Sequence, residues 1–521
     1  MSHILAIDIG TSSLRAALYD FEGNVIPETL VKNERVLAAT DDGGAEIDAE
    51  EAFQQVVSII DDVLEKSKNV SGKIEYVAAC AFWHSLVGVD GRGEPTTKVF
   101  GWADTRSREF VKVLRAEFDE DETHKRTGAR FHSSYWTAKL LWLRAEFPET
   151  FTKTAKWLSF SDFVGMRLCG EVSYRLVGRR FLGGSGHLMT SKEFVEPDGN
   201  CLTSVSMASA TGIFDIRKKL WDEELINSLN IKLESLPEIV EEDSETFRLN
   251  EIYRERWKKL KMAKWFPAIG DGAANNIGAA CVTKSKATLM IGTSGAMRVA
   301  FKGEPPAKIP QGLWCYRIDR KRVIIGGALS DGGGLYAWLK NNLKLRKTDE
   351  EIESEISKRT PDEHGLAFLP FLAGERSTGY NESAHGVILG LKFSTDSFDI
   401  VQCALESVAY RFAEIYNRLN EVLSVKEIIA SGGALRASPV WTQIIADVLG
   451  RNLLLPDTDE ASSRGAVLLA LETIGKIESI EKTDTPKDRK FKFDKKRNAI
   501  YRKARKRHNK LYNLIINNEN L

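Results

Sequence analysis

The apolar run Ile4–Ile9 holds a single carboxylate, Asp8, and passes directly into Gly10-Thr11-Ser12-Ser13, with Arg15 just beyond. A tight turn of glycine and small hydroxyls between two strands can aim several N–H and O–H groups at one point. That makes an anion site, and phosphate is the commonest anion of that size. Far downstream, "ATLMIGTSGAMRVAF" (Ala287–Phe301) repeats the design, with Gly292-Thr293 in the turn. No GxxxxGK[ST] occurs, so this is not the P-loop solution. Two ordinary hairpin turns would carry the same tripeptides; what favours phosphate is the second copy, set between strand-like runs like the first. A carboxylate in an apolar strand is costly unless paired or metal-bound. Beside phosphate oxygens the partner of Asp8 would be Mg2+, which takes one or two carboxylates plus waters and phosphate. Otherwise the turn's own N–H groups would serve.

Three further stretches carry candidate chemistry. In "FPAIGDGAANNIGAA" (Phe266–Ala280) Asp271 stands between glycines ahead of a helix-like segment, where it could take the proton of an attacking hydroxyl or simply cap the helix. In "IIASGGALRASPVWTQIIADVLG" (Ile428–Gly450) Gly432 and Gly433 follow a strand and would let a flat ligand such as adenine approach the backbone. "AFWHSLVGVDGRGEPTTKVFGWADTR" contains Trp83, His84 and Asp104, polar groups able to hydrogen-bond a polyol, although a satisfied core histidine would look the same at His84.

The elements that must position these groups alternate. Strand patterns at Ile4–Ile9, Leu14–Tyr19, Ile74–Ala81 and Leu86–Val89 are interleaved with helical spacing at Ala49–Lys66, capped by Asp48, and at 105–118 and 137–146. The second half repeats this: strands at Thr288–Ile291, Met297–Phe301, Val323–Gly326 and Glu427–Ala430, and helices at Leu335–Asn341, Phe398–Leu419 and Pro439–Leu449. This is α/β organisation. The charged stretch from Val240 to Lys264 precedes a new strand-like "WFPAIG", and the domain boundary is placed near Lys264. Two related halves imply a cleft between them.

Composition narrows the class. The 521 residues carry 73 Lys+Arg and 73 Asp+Glu, so neither nucleic acid nor a membrane surface is indicated as the main partner. No apolar run is long enough to span a bilayer, and no leader pattern opens the chain, so the expected location is cytoplasmic. The six cysteines are scattered without a CxxC pair and read as reduced, buried thiols. The basic stretch 487–510 reads either as an anion patch or as a terminal helix with Ile500, Ala504, Leu511 and Ile515 on its apolar face; the helix is favoured.

Taken together these stretches resemble the FGGY carbohydrate kinases, over nearly the whole chain. "AIDIGTSSLRAALYD" and "MIGTSGAMRV" look like the family's two phosphate loops, and "SGGALRASPVWTQIIADVLG" with "EASSRGAVLLAL" like its adenosine segment. "SYWTAKLLWL" and "GVILGLKFSTDSFDIVQCALE" resemble its signatures, except at Cys403, where Ala or Ser is usual. The resemblance implies two ribonuclease-H-like (actin-like ATPase) domains around a central cleft: 1–264 binding sugar, with an insertion at about 172–200, and 265–521 binding nucleotide. It implies Asp271 as catalytic base, Asp8 at Mg2+, and Thr11, Ser12, Ser13, Arg15, Gly292 and Thr293 at the phosphates of ATP. Gly432 and Gly433 would lie at adenosine, and Trp83, His84, Asp104 and Asp271 at the sugar. Glycerol kinases carry Arg-Glu where Trp83-His84 stand, and Asp-Gln instead of Asp271-Gly272, which argues against glycerol. "FLAGERSTGYNESAHGVILGL" looks most like gluconate kinases, with xylulose kinases next. The expected activity is therefore an ATP-dependent sugar kinase acting on D-gluconate, with D-xylulose or another ketopentose or polyol as alternative acceptor. Gluconate needs a cation for its carboxylate; Arg376 and Lys139 are the candidates, and either could equally be a member of a structural ion pair. A catalytically silent sugar- or nucleotide-binding regulator and a filament-forming ATPase are the rival classes. The partners implied are a sugar and ATP, with a homodimer as an open expectation.

Overall fold

The structure is a computed structural model describing residues 2–35, 37–172, 201–240, 246–456, 460–483 and 488–516. The insertion expected at about 172–200 lies almost entirely outside the described residues.

Two sheets organise the chain. The first is built from β1 (Ser2–Ile9), β2 (Ser13–Tyr19), β3 (Val31–Glu34), β4 (Lys73–Ala81), β5 (Cys169–Val172), β6 (Phe247–Leu249), β7 (Lys264–Trp265) and β8 (Ile269–Gly270). Its order is β5-β6-β7-β4-β1-β2-β3, with β8 also pairing β4. The second comprises β9 (Lys286–Ile291), β10 (Gly295–Lys302), β11 (Trp314–Arg317), β12 (Arg322–Leu329), β13 (Glu427–Ser431), β14 (Leu453–Pro456) and β15 (Asp488–Phe491), in the order β11-β12-β10-β9-β13-β14-β15. Each sheet has the same heart: β1 lies between antiparallel β2 and parallel β4, and β9 between antiparallel β10 and parallel β13. The repetition legible in the two Gly-Thr-Ser turns is thus a repetition of strand pairing. Because β7 and β8 pair β4, the stretch after Lys264 completes the first sheet instead of opening the second, which begins at Lys286.

Helices cover the sheets: α1 (Ala49–Lys66), α2 (Trp136–Glu146), α3 (Asp271–Gly278), α4 (Gly333–Asn342), α5 (Ser397–Leu419), α6 (Pro439–Leu449), α7 (Ala461–Thr473) and α8 (Lys495–Ile515). In α1 Asp48 accepts from the N–H groups of Glu50 and Glu51, and the apolar spacing buries Ala52, Phe53, Val56, Ile59, Ile60 and Val63. Helices α3 and α7 cross at two glycines. A Cβ at Gly278 would stand 1.8 Å from the Ala461 carbonyl oxygen, and one at Gly465 1.8 Å from that of Ala274. Helix α7 also packs on β1 and β4, so this crossing joins the two lobes.

Helix α8 corrects the sequence-derived stripe. Its buried face is Tyr501, Ala504, His508 and Leu511, while Ile500 is exposed. Several of its cations meet acids of the second lobe, among them Arg507 with Asp362 and Arg505 with Glu414. Near the end of the helix the Tyr512 hydroxyl donates to Glu375 (2.8 Å), which is also ion-paired with Arg411.

Candidate active site

Strand β1 delivers Asp8 to the sheet's edge of the cleft and turns at Gly10, whose N–H donates to the Ser13 carbonyl (3.0 Å). Ser12 is exposed and Thr11 half-buried, so both hydroxyls border open space. Asp8 is buried, and strand register sets it beside Arg15 and Cys80. The Cys80 thiol donates to Oδ1 (3.4 Å), and an Arg15 guanidinium nitrogen lies 4.0 Å from Oδ2. That nitrogen is also 3.6 Å from Glu460, the residue before α7. Arg15, expected at phosphate, is here shared between two carboxylates. Burial pushes the Asp8 carboxyl up to about 7; Arg15 opposes the rise, and Asp271 and Glu460 add to it. A buried carboxylate with one distant cation and one weak thiol donor is under-compensated. That donor set suits a divalent cation, so Asp8 fits the implied Mg2+.

The second turn is built alike. The Gly292 N–H donates to the Ser294 carbonyl (3.0 Å), and nothing lies within 4 Å of where a Gly292 Cβ would stand. The start of α4 is tied to it: the N–H groups of Gly333 and Gly334 donate to the carbonyls of Gly292 (2.8 Å) and Thr293 (2.9 Å). Gly432, after the parallel neighbour β13, has φ 95°, and its Cβ would fall 2.3 Å from the Ile291 carbonyl oxygen. Only glycine meets both conditions. Gly433 beside it faces open space. Gly292, Thr293, Gly432 and Gly433 are thus gathered at the carboxyl ends of two adjacent parallel strands, where ligands of α/β sheets bind.

Beside Asp271 lies a cluster of buried aromatic rings. Trp83 and His84 follow β4, Trp314 stacks on Tyr316 (4.4 Å between centroids), and Tyr316 meets Trp83 edge-on (5.3 Å). Trp83 donates from Nε1 to the Ser206 carbonyl (3.1 Å) and packs against Gly270 and Gly272 so closely that a Cβ at Gly270 would sit 1.9 Å from its ring. His84 donates from Nδ1 to the Ala210 carbonyl (2.6 Å), which leaves Nε2 as an acceptor. Burial, and after it the charge of Arg376, holds this imidazole well below its usual range, so it is neutral. Asp271 opens α3 with Gly270 as the cap residue, and its Oδ1 accepts from the Gly272 N–H (2.7 Å). Enclosure raises its carboxyl, and Arg298 is the chief charge opposing that rise. Asp104 differs from the expectation: its oxygens already accept from the Arg106 N–H and guanidinium and from the Ala45 N–H, which makes it a loop anchor.

The two cation candidates separate here. Lys139 is buried and donates to the carbonyls of Ser133 (2.8 Å) and Ser134 (2.6 Å), with burial pulling its amine down to about 7. Arg376 lies over the Trp102 ring (5.2 Å), and no acid among the described residues pairs with it. The loop carrying it is fixed by its neighbour Glu375, through Arg411 and the Gly379 N–H. Sequence reasoning passed over Arg298, although a charge in the apolar run of β10 is the same signal that singled out Asp8. Tyr135 and Tyr316, which join the aromatic cluster from either lobe, carried no sequence signal.

A second acidic group, Asp362, His364 and Glu406, has its ligand atoms close together. It is a hydrogen-bond hub: His364 Nδ1 accepts from the Leu366 N–H, so Nε2 bears the proton it offers Glu406 and has no lone pair for a metal. Glu406 also accepts from Gln402, Tyr410 and Tyr501.

Comparison with known proteins bears on this arrangement. Residues 3–176 match the N-terminal domain of the FGGY family of carbohydrate kinases, and residues 287–473 match its C-terminal domain. A gluconokinase of Bacillus subtilis (strain 168) is 26% identical over 499 residues, covering 92% of this chain and 89% of that protein. A xylulose kinase of Staphylococcus xylosus is 22% identical, covering 90% of each. The crystal structure of gluconate kinase from Lactobacillus acidophilus superposes with a TM-score of 0.85 at 24% identity, over 99% of this chain and 98% of that one. Among the described residues no helix is long and apolar enough to cross a membrane.

Proposed function

This chain belongs to the FGGY family of carbohydrate kinases, and on that premise we propose that it transfers the γ-phosphate of ATP to D-gluconate. One observation carries the choice of acceptor: Arg376, whose guanidinium lies over the face of Trp102 and has no acidic partner among the described residues, brings a cation to the aromatic cluster around His84. A carboxylate at the end of the acceptor would complete it with charge-assisted, bidentate hydrogen bonds. A neutral ketopentose would leave the charge unmatched. The gluconokinase relative at 26% identity supports the same acceptor.

In this reading the two Gly-Thr-Ser turns grip the triphosphate, and Gly432 and Gly433 border the adenosine. Asp271 accepts the proton of the acceptor hydroxyl, whose oxygen bonds to the γ-phosphorus while the bond to the β,γ-bridging oxygen breaks toward ADP. His84, held neutral, offers Nε2 to an acceptor hydroxyl and fixes its orientation. Mg2+, held by Asp8, would neutralise charge on the triphosphate. Positioning and charge neutralisation carry most of such a reaction.

The test is a coupled ADP-release assay over gluconate, xylulose, ribulose, fuculose, glycerol and erythritol, with wild type and Arg376→Met. Gluconate is expected to lead. Its KM should rise about 10–100-fold in the variant, the loss expected of a charge-assisted pair, while neutral acceptors are unaffected. A wild-type preference for a neutral ketopentose would replace gluconate and leave the kinase assignment standing.

A further inference from the structure

We propose that Arg298 is a catalytic residue of the transfer, its guanidinium neutralising charge on the phosphoryl group as it passes to the acceptor oxygen held by Asp271. The inference rests on the proposed role of Asp271 as base.

Arg298 is 8% exposed, and its Nε and Nη1 are buried without an acceptor. Other buried arginines are met by acids or shielded by rings: Arg322 pairs with Asp319, Glu472 and Glu481, and Arg317 with Glu304, while Arg35, whose three guanidinium nitrogens also find no acceptor, lies over the Phe160 ring (4.9 Å). A buried guanidinium with two unmet N–H directions is costly, and at Arg298, beside Asp271, a ligand can meet it. Its placement shows which ligand. Strand register sets Arg298 opposite Gly326, and a Cβ there would lie 3.1 Å from the arginine's Cγ, so the side chain crosses the strand over a glycine. Its head then rests on Gly272, where a Cβ would be 3.1 Å from Nε and 3.2 Å from Cζ. The cation therefore sits against the residue after Asp271, yet no ion pair closes between them. The gap between base and cation is where the reacting oxygen and the phosphoryl group must meet.

The proposed reaction brings two anions to this region, the γ-phosphoryl group and the acceptor's carboxylate. Arg376 stands with Trp102 and is the main charge acting on His84, whereas Arg298 is the leading opposing charge at Asp271. Arg376 also acts on Asp271 and on Arg298, but at Asp271 Arg298 is the stronger, which assigns Arg298 to the reacting group. During the step the acceptor O–H gives its proton to Asp271, its oxygen bonds to the γ-phosphorus, and the bond to the β,γ-bridging oxygen breaks with its electron pair leaving on ADP. Arg298 keeps all its protons; its donors follow the charge on the equatorial oxygens.

The experiment is steady-state kinetics of wild type, Arg298→Gln and Arg298→Lys with ATP–Mg2+, on gluconate and on whichever neutral acceptor the wild type turns over best. Arg298→Gln is expected to lower kcat about 10²–10³-fold on both acceptors, with KM for gluconate changed less than threefold, and Arg298→Lys to recover part of the loss. Added guanidinium ion at millimolar concentration should restore turnover in Arg298→Ala. A raised KM for gluconate with kcat kept would make Arg298 a carboxylate ligand and overturn the proposal, as would kcat within threefold of wild type. If the wild type rejects gluconate, the acceptor assignment fails, and the comparison on the neutral acceptor still decides the role of Arg298. Absence of guanidinium rescue in a variant that melts like wild type would also count against it.

Discussion

Asp8 is set against stability by its position. Its carboxyl titrates near 3.8 in an unfolded chain and at about 7 in the folded one, because burial disfavours the charge. Between those values the folded protein holds a proton that the unfolded chain has lost, so stability falls as pH rises through this window. The cost is absent below about pH 4 and complete above about 7, where it reaches at most about 4 kcal/mol. Asp8→Asn should therefore melt higher than wild type at pH 8 without Mg2+ or nucleotide, match it near pH 4, and lose Mg2+-dependent activity. Equal melting at pH 8 would show that the ionised carboxylate is already compensated in the free protein. Asp8 and Asp271 stand out as candidates in the sequence because an acid in an apolar strand, or between two glycines, is conspicuous on chemistry alone. Asp104 was not: its partners are Arg106 next door and an Ala45 amide brought close only by the fold.

The segments that read correctly are those whose period is uninterrupted. Ala49–Lys66 and Pro439–Leu449 were bounded as the structure has them, by Asp48 at one cap and by Pro439 and Gly450 at the ends of the other. The apolar stripe of α8 was misread because its buried face uses a tyrosine and a histidine: Tyr501 reaches Glu406, and His508 packs on Tyr410. The strands after Lys264 were assigned to the wrong side because two-residue strands take their sheet from long-range pairing, which local pattern does not encode. The α3–α7 crossing was equally hidden, since one glycine in each helix means little until the other is known. Gly465→Ala would press a methyl group into the Ala274 carbonyl and should cost about 1–3 kcal/mol, read as a lowered melting temperature. An unchanged melting temperature would mean that the helices can part without penalty.

At the scale of the molecule, the two phosphate cradles come from different sheets, and their approach is set where the lobes touch: the Arg15–Glu460 contact, the Tyr135–Tyr316 pair and the glycine crossing. Closure over both substrates would align the reacting groups and expel water. Small-angle scattering should show a smaller radius of gyration with gluconate and a non-hydrolysable ATP analogue together than with either alone; no compaction in the ternary mixture would remove closure from the mechanism. The two-lobed architecture was legible from the repeated turn, because one supersecondary unit occurs twice; the lobes' contacts were not, since each joins residues far apart in the chain. One such contact reaches further. Tyr512 steadies Glu375, and Glu375 adjoins the arginine proposed to choose the acceptor. A protein clipped ahead of that tyrosine would keep both sheets and both cradles. Its first symptom would be a lost preference for the acidic acceptor over neutral alcohols, well before any loss of shape.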